Sequence, residues 1–172
     1  MKKLLPVLML LIPSFVFAQK PCATDPMYRQ FDFWVGTWEA YSTAGKKAGD
    51  SKISIILDSC IVLEEWTSTA PGKGVTYAGK SFNTYNAATK QWQQQWVDNV
   101  GGSTAYMKGK LENHVLVFES DPFNFKADTV AIRRLSFFDL GPNTVRQLGE
   151  ITKDKGVTWA TEFDLEYRRR KN

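Results

Sequence analysis

Histidine and cysteine are nearly absent: of 172 residues, one is histidine (His114) and two are cysteine (Cys22 and Cys60). A nitrogen and sulfur metal site draws on about four such ligands, so no metal is expected here. A lone imidazole at a strand end also signals no Ser-His-Asp arrangement. No glycine-rich phosphate loop is present, and no internal repeat or low-complexity linker divides the chain. Charge of one sign is missing too. Twenty-two Lys and Arg stand against 18 Asp and Glu, and the basic residues cluster only in the tail Arg168 to Lys171, which excludes nucleic acid as an expected partner. Beyond the first 18 residues there is no long apolar run, and hence no expected membrane span.

Those first residues, MKKLLPVLMLLIPSFVFA, pass from Lys2 and Lys3 through an apolar stretch to Val16-Phe17-Ala18, the pattern of an export signal. Pro6 and Pro13 interrupt the stretch, which falls short of the roughly 20 residues a bilayer requires. Cys22 follows Gln19-Lys20-Pro21 rather than a small residue, so a lipid anchor is not indicated. The reading is a signal peptide over 1–18 and a single domain over 19–172, bound for the periplasm or the extracellular space. Such a compartment permits disulfides. A Cys22 to Cys60 bridge is the economical expectation and two buried free thiols the alternative.

From residue 31 onward short β-rich runs alternate with turn chemistry. Candidate strands lie at 32–42, 50–58, 60–69, 75–85, 90–98, 103–111, 113–119, 128–139, 144–152 and 157–169. Turn residues separate them, as at Gly101-Gly102 and Gly141-Pro142-Asn143. Asp25-Pro26 offers one short helical turn ahead of the first strand. With no helix to cover an open sheet, about ten strands joined by tight reversals predict an all-β, antiparallel up-and-down meander closed into a barrel. In the last strand Val157, Trp159, Phe163, Leu165 and Tyr167 alternate with polar residues, which gives the wall one inner and one wet face.

The segment FDFWVGTWE, residues 31–39, sets Trp34, Gly36 and Trp38 on one face of an extended strand. A Gly-x-Trp in the first strand, preceded by a helical turn and answered by Arg169 in the last, resembles the calycin superfamily, which includes the lipocalins. There the arginine caps the tryptophan. FDFWVGTWE, LDSCIVLEEW, WQQQWVDN and TWATEFDLEYRR together are similar to a family of exported bacterial proteins that carry a domain of unknown function; this implies the fold and supplies no reaction. Ten strands also resemble the haem-binding nitrobindin barrels, whose iron ligand is a histidine near the C-terminus. No histidine follows position 114 here, and no cofactor is expected.

Parity then nominates the interior. Trp92, Gln94, Trp96 and Asp98 share one face of KQWQQQWVDN, and Val62, Glu64 and Trp66 share one face of LDSCIVLEEW. If Glu64 faces inward, its expected counter-charge is Arg134, which lies in parity with Val130, Ile132 and Phe138. Tyr85 and Gln147 are further polar candidates. Trp38, Trp66, Trp96 and Trp159 are the expected aromatic lining, and the Phe123 and Phe125 rings of DPFNFK (121–126) are expected over a barrel end. The leading expectation is a barrel that binds a small apolar or aromatic ligand. Its alternatives are an isomerase, cyclase or hydrolase that uses Glu64 and Arg134, and an envelope interaction protein with a packed core.

Overall fold

The structure, a computed structural model, describes residues 21–72 and 74–171. The expected export segment lies outside the described residues. A helical turn at Pro21–Thr24 leads into 3-10 turns at Pro26–Arg29 and Asp32–Trp34. Asp25 accepts the Met27 amide at 2.9 Å while Pro26 takes the next position, where a missing N–H leaves nothing unpaired. Among the described residues no helix is long and apolar enough to cross a membrane.

Eleven strands follow: β1 (Gly36–Ser42), β2 (Lys47–Ile56), β3 (Ile61–Gly72), β4 (Val75–Asn86), β5 (Gln91–Asp98), β6 (Ser103–Glu112), β7 (Val115–Glu119), β8 (Phe123–Lys126), β9 (Thr129–Asp139), β10 (Thr144–Thr152) and β11 (Ala160–Arg169). From β1 to β7 each strand pairs antiparallel with the next; β7 continues to β9, β9 to β10, and β10 to β11, which closes on β1. The result is a closed, all-β, ten-stranded up-and-down barrel, with β8 paired only to the start of β9. The ten strands expected from turn chemistry are the ten of the ring. Two details differ. The first strand begins at Gly36 because Asp32–Trp34 curls into a 3-10 turn, so Trp34 is not on the β1 face with Trp38. The 121–126 segment, outside the expected strands, contains β8.

The bore is solid at one end. There the segment before β1 pushes Phe31 and Trp34 inside, both wholly buried. Phe31 stacks on Trp34 with centroids 5.0 Å apart, and Phe137 meets Phe31 at 4.8 Å and Trp34 at 4.6 Å. Trp92 closes edge-on at 5.7 Å and donates its indole N–H to Gln30 Oε1 at 3.0 Å. Rings of this size in offset and edge contacts are each worth about 3 kcal/mol or more against truncation. Trp38 Nε1 donates to the Trp34 carbonyl at 2.7 Å, and the Arg169 guanidinium lies 4.1 Å from the Trp38 ring centre. Arg169 also donates to the carbonyls of Val35 and Pro142. Gly36 is obligatory beside it: its φ is +144°, and a Cβ there would strike the guanidinium.

A disulfide joins Cys22 to Cys60, with Cα atoms 4.9 Å apart. It ties the stopper segment to the β2–β3 turn, and Arg29 Nη2 adds a bond to the Ser59 carbonyl at 2.6 Å. That turn holds Leu57, Asp58 and Ser59 in left-handed backbone, φ 49°, 52° and 76°. For non-glycine residues such a conformation costs about 1–2 kcal/mol each, so the two cross-ties hold a turn that the chain would otherwise relax.

Replacing both Cys22 and Cys60 with serine is expected to lower unfolding free energy by about 2–4 kcal/mol and to speed amide exchange at residues 57–60 first. Urea titration and hydrogen exchange check this.

Candidate functional site

Beyond the stopper the other half of the bore is a cavity of about 580 Å³. Trp66 of β3, Trp96 of β5, Tyr77 of β4, Tyr106 of β6 and Phe163 of β11 form its walls, with Leu135 and Leu165 between them. Three of these rings fit because glycine lies under them on the neighbouring strand. Gly49 underlies Trp66, Gly79 underlies Trp96, and Gly149 underlies Phe163; a Cβ at any of the three would run into the ring. Width at the wall is thus set by three missing side chains.

The floor of the cavity is polar. Glu64, only 2% exposed, accepts Ser51 Oγ at 3.0 Å on one carboxylate oxygen and Ser81 Oγ at 3.0 Å on the other. Tyr167 OH sits 3.3 Å from Glu64 and donates to Gln147 Oε1 at 2.7 Å. A relay feeds Ser81: Gln94 Nε2 donates to Asn83 Oδ1 at 2.7 Å, and Asn83 Nδ2 donates to Ser81 Oγ at 3.0 Å. This relay runs toward the carboxylate. No cation among the described residues reaches it, and burial outweighs the hydroxyl bonds, so the Glu64 carboxyl is pushed up to about 7. Burial and the neighbouring Glu64 charge hold the Tyr167 phenol well above its ordinary value. Burial also lifts Tyr106 to about 12.

The mouth carries the remaining charge. Arg133 grips Glu162 with both arms of its guanidinium, Nε at 2.8 Å and Nη2 at 3.2 Å, and lies 4.8 Å from the Phe123 ring centre. Burial acts to raise the pKa of Asp98. The amides of Gly102 and Val100, with Tyr77 OH and Trp96 Nε1, outweigh that effect and hold it below the ordinary aspartate value. Asp98 therefore fastens the β5–β6 turn while facing the cavity.

The structure brings Glu64, Trp66, Gln94, Trp96, Asp98 and Gln147 together on this lining, as parity implied. Four expected residues lie elsewhere. Trp38 is sealed beneath Arg169 at the stoppered end. Tyr85 packs edge-on against Tyr28 and Trp92 near the same end. Arg134 is on the outer surface, where both guanidinium bonds go to Glu150 Oε2 at 3.0 and 2.8 Å. Trp159 lies against it at 4.0 Å. The expected Glu64–Arg134 pair is therefore not formed. In β9 the inward residues are Ala131, Arg133, Leu135 and Phe137, the reverse of the assumed parity. Trp159 is outside because β11 bulges opposite Gly149 and Glu150, which reverses parity ahead of Phe163.

His114 is exposed in the β6–β7 turn. Phe125 lies under Lys126 and Lys153, 5.8 and 4.2 Å from its centre. Among the cavity residues that sequence reading did not nominate are Tyr77, Tyr106, Arg133, Leu135 and Glu162; of these Tyr77 carried a signal, since it shares parity with Tyr85. Among the described residues no cluster of His, Cys, Asp and Glu is arranged to hold a metal.

Because the folded carboxyl of Glu64 titrates near 7 and an unfolded glutamate near 4.5, its ionisation adds no cost to folding below pH 4.5. Stability is lost as pH rises through 7, by up to about 3 kcal/mol. Glu64→Gln is expected to remove this dependence. The stability difference between variant and native chain should widen in favour of the variant between pH 4.5 and 8, as read by urea unfolding at both pH values.

No curated protein matches the chain. A family model described as protein of unknown function (DUF1579) matches residues 27–169, from the turn ahead of the stopper to the arginine over Trp38. The chain belongs to that family.

Proposed function

We propose that this protein is an exported, lipocalin-like barrel that binds a small, partly apolar or aromatic molecule in the open half of its bore. The observation that carries the reading is the cavity of about 580 Å³ inside a closed wall, a volume typical of small-molecule sites. Aromatic sides with a few convergent polar groups at the floor are the composition such sites use. The stopper supports the same reading, because the end it fills is packed and the other end is left hollow. The cap of Arg169 on Trp38 and the up-and-down closure are the features that align the chain with the calycin group. Export to the periplasm or beyond fits the Cys22–Cys60 bridge.

Leu165→Trp places an indole inside the cavity without touching the stopper. Native mass spectrometry of the chain recovered from its own host is expected to retain a bound compound. Tryptophan fluorescence should report that compound's rebinding to native protein, weakened at least about tenfold in Leu165→Trp while thermal unfolding stays cooperative. Absence of any retained compound, with titrations alike in both chains, overturns the reading.

A further inference from the structure

We propose that the cavity selects ligands bearing a protonated amine, with the ammonium group on Glu64 and the apolar body between Trp66, Trp96 and Phe163. This rests on the binding reading above and adds the chemical class of the ligand.

Charge arrangement is the first support. Every group that reaches Glu64 from the surrounding strands is neutral: Ser51 of β2, Ser81 of β4, Tyr167 of β11, and behind them Asn83, Gln94 and Gln147. Tyr77 of β4, on the same lining, is the other titratable group that feels its charge. Arg133 is the one guanidinium on the lining, and Glu162 at the mouth engages it with two bonds. Asp98 and Glu162 add two further carboxylates. The cavity therefore holds an excess of negative charge, with its deepest carboxylate lacking a cation.

Hydrogen bonding is the second. A carboxylate offers about four lone-pair directions, and the Ser51 and Ser81 hydroxyls take two, since Tyr167 gives its single proton to Gln147. The rest are left for donors on the ligand. An ammonium group supplies such donors together with the missing charge, and such a charge-assisted bond in a desolvated site is about twice as strong as a neutral one. The Trp66 and Trp96 indoles on the same lining are ring systems whose quadrupoles attract a cation. An anionic ligand would set like charges together in low dielectric.

The test uses a panel of aryl and alkyl primary amines, from 2-phenylethylamine to 1-naphthylmethylamine, each with its matched alcohol and carboxylate. Titration calorimetry on the native chain and on Glu64→Gln reads the affinities. Amines are expected to bind at least about tenfold tighter than their alcohols, with carboxylates weakest. Glu64→Gln should erase the advantage of each amine over its matched alcohol. Ammonium binding requires ionised Glu64, so amine affinity should fall about thirtyfold from pH 8 to pH 5.5 while alcohol affinity stays flat. Equal binding of amine and alcohol, insensitive to Glu64→Gln, overturns the selection for a cation and leaves the binding barrel standing. Failure of the whole panel to bind overturns both.

Discussion

Ten strands close a ring wider than their own inward side chains fill at both ends, and the rest of this structure depends on how the chain meets that constraint. It spends a separate segment on one end. Phe31 and Trp34 enter the bore from outside the sheet and meet Trp92 and Phe137 coming from the wall. A plug made of one contiguous segment needs an anchor, because nothing in the ladder of the sheet retains it. The disulfide to Cys60 and the Arg29 bond to Ser59 supply that anchor.

With the aromatic mass gathered at one end, polar groups can be buried at the middle of the barrel without exposure to bulk water. Glu64 sits where the packed half gives way to the hollow half. Its hydroxyl partners and the relay through Asn83 leave the carboxylate hydrogen-bonded yet without a counter-ion. That combination is unfavourable for folding and useful for recognition, since a group that is costly to bury ionised is one whose charge a ligand can complete. The arginine that alternation nominated for this task instead serves the outer wall, where Glu150 and Trp159 hold it. The arginine that does face inward guards the mouth.

Much of this was legible in the sequence. Alternation in QWQQQWVD placed Gln94 and Trp96 on the inner face, because that run has one clearly more apolar side, whereas IVLEEW is apolar on both sides and put Glu64 inside only on the condition that Trp66 was inside. The strand Thr129–Asp139 has no such side. Val130, Ile132 and Phe138 are as apolar as Ala131, Leu135 and Phe137, and adjacent arginines sit between them, so parity could not choose which one entered the bore. In β11 the pattern was right from Phe163 onward and wrong before it, since a bulge adds one residue and leaves no compositional mark. Tyr106 was hidden by similar register shifts on both sides of β6. The short turn at Asp32–Trp34 escaped notice for another reason: its aromatic content reads as strand, and only the tertiary demand for a plug curls it.

Gly49, Gly79 and Gly149 give Trp66, Trp96 and Phe163 an alcove in the backbone of the next strand. A methyl group added at Gly149 would meet the Phe163 ring and narrow the chamber, whereas at Gly49 or Gly79 it would also press on the Thr67 or Val97 carbonyl of the neighbouring strand. The barrel's calibre is thereby written in three positions of the ladder itself, so the room left for a guest and the pairing of the wall are decided by the same residues.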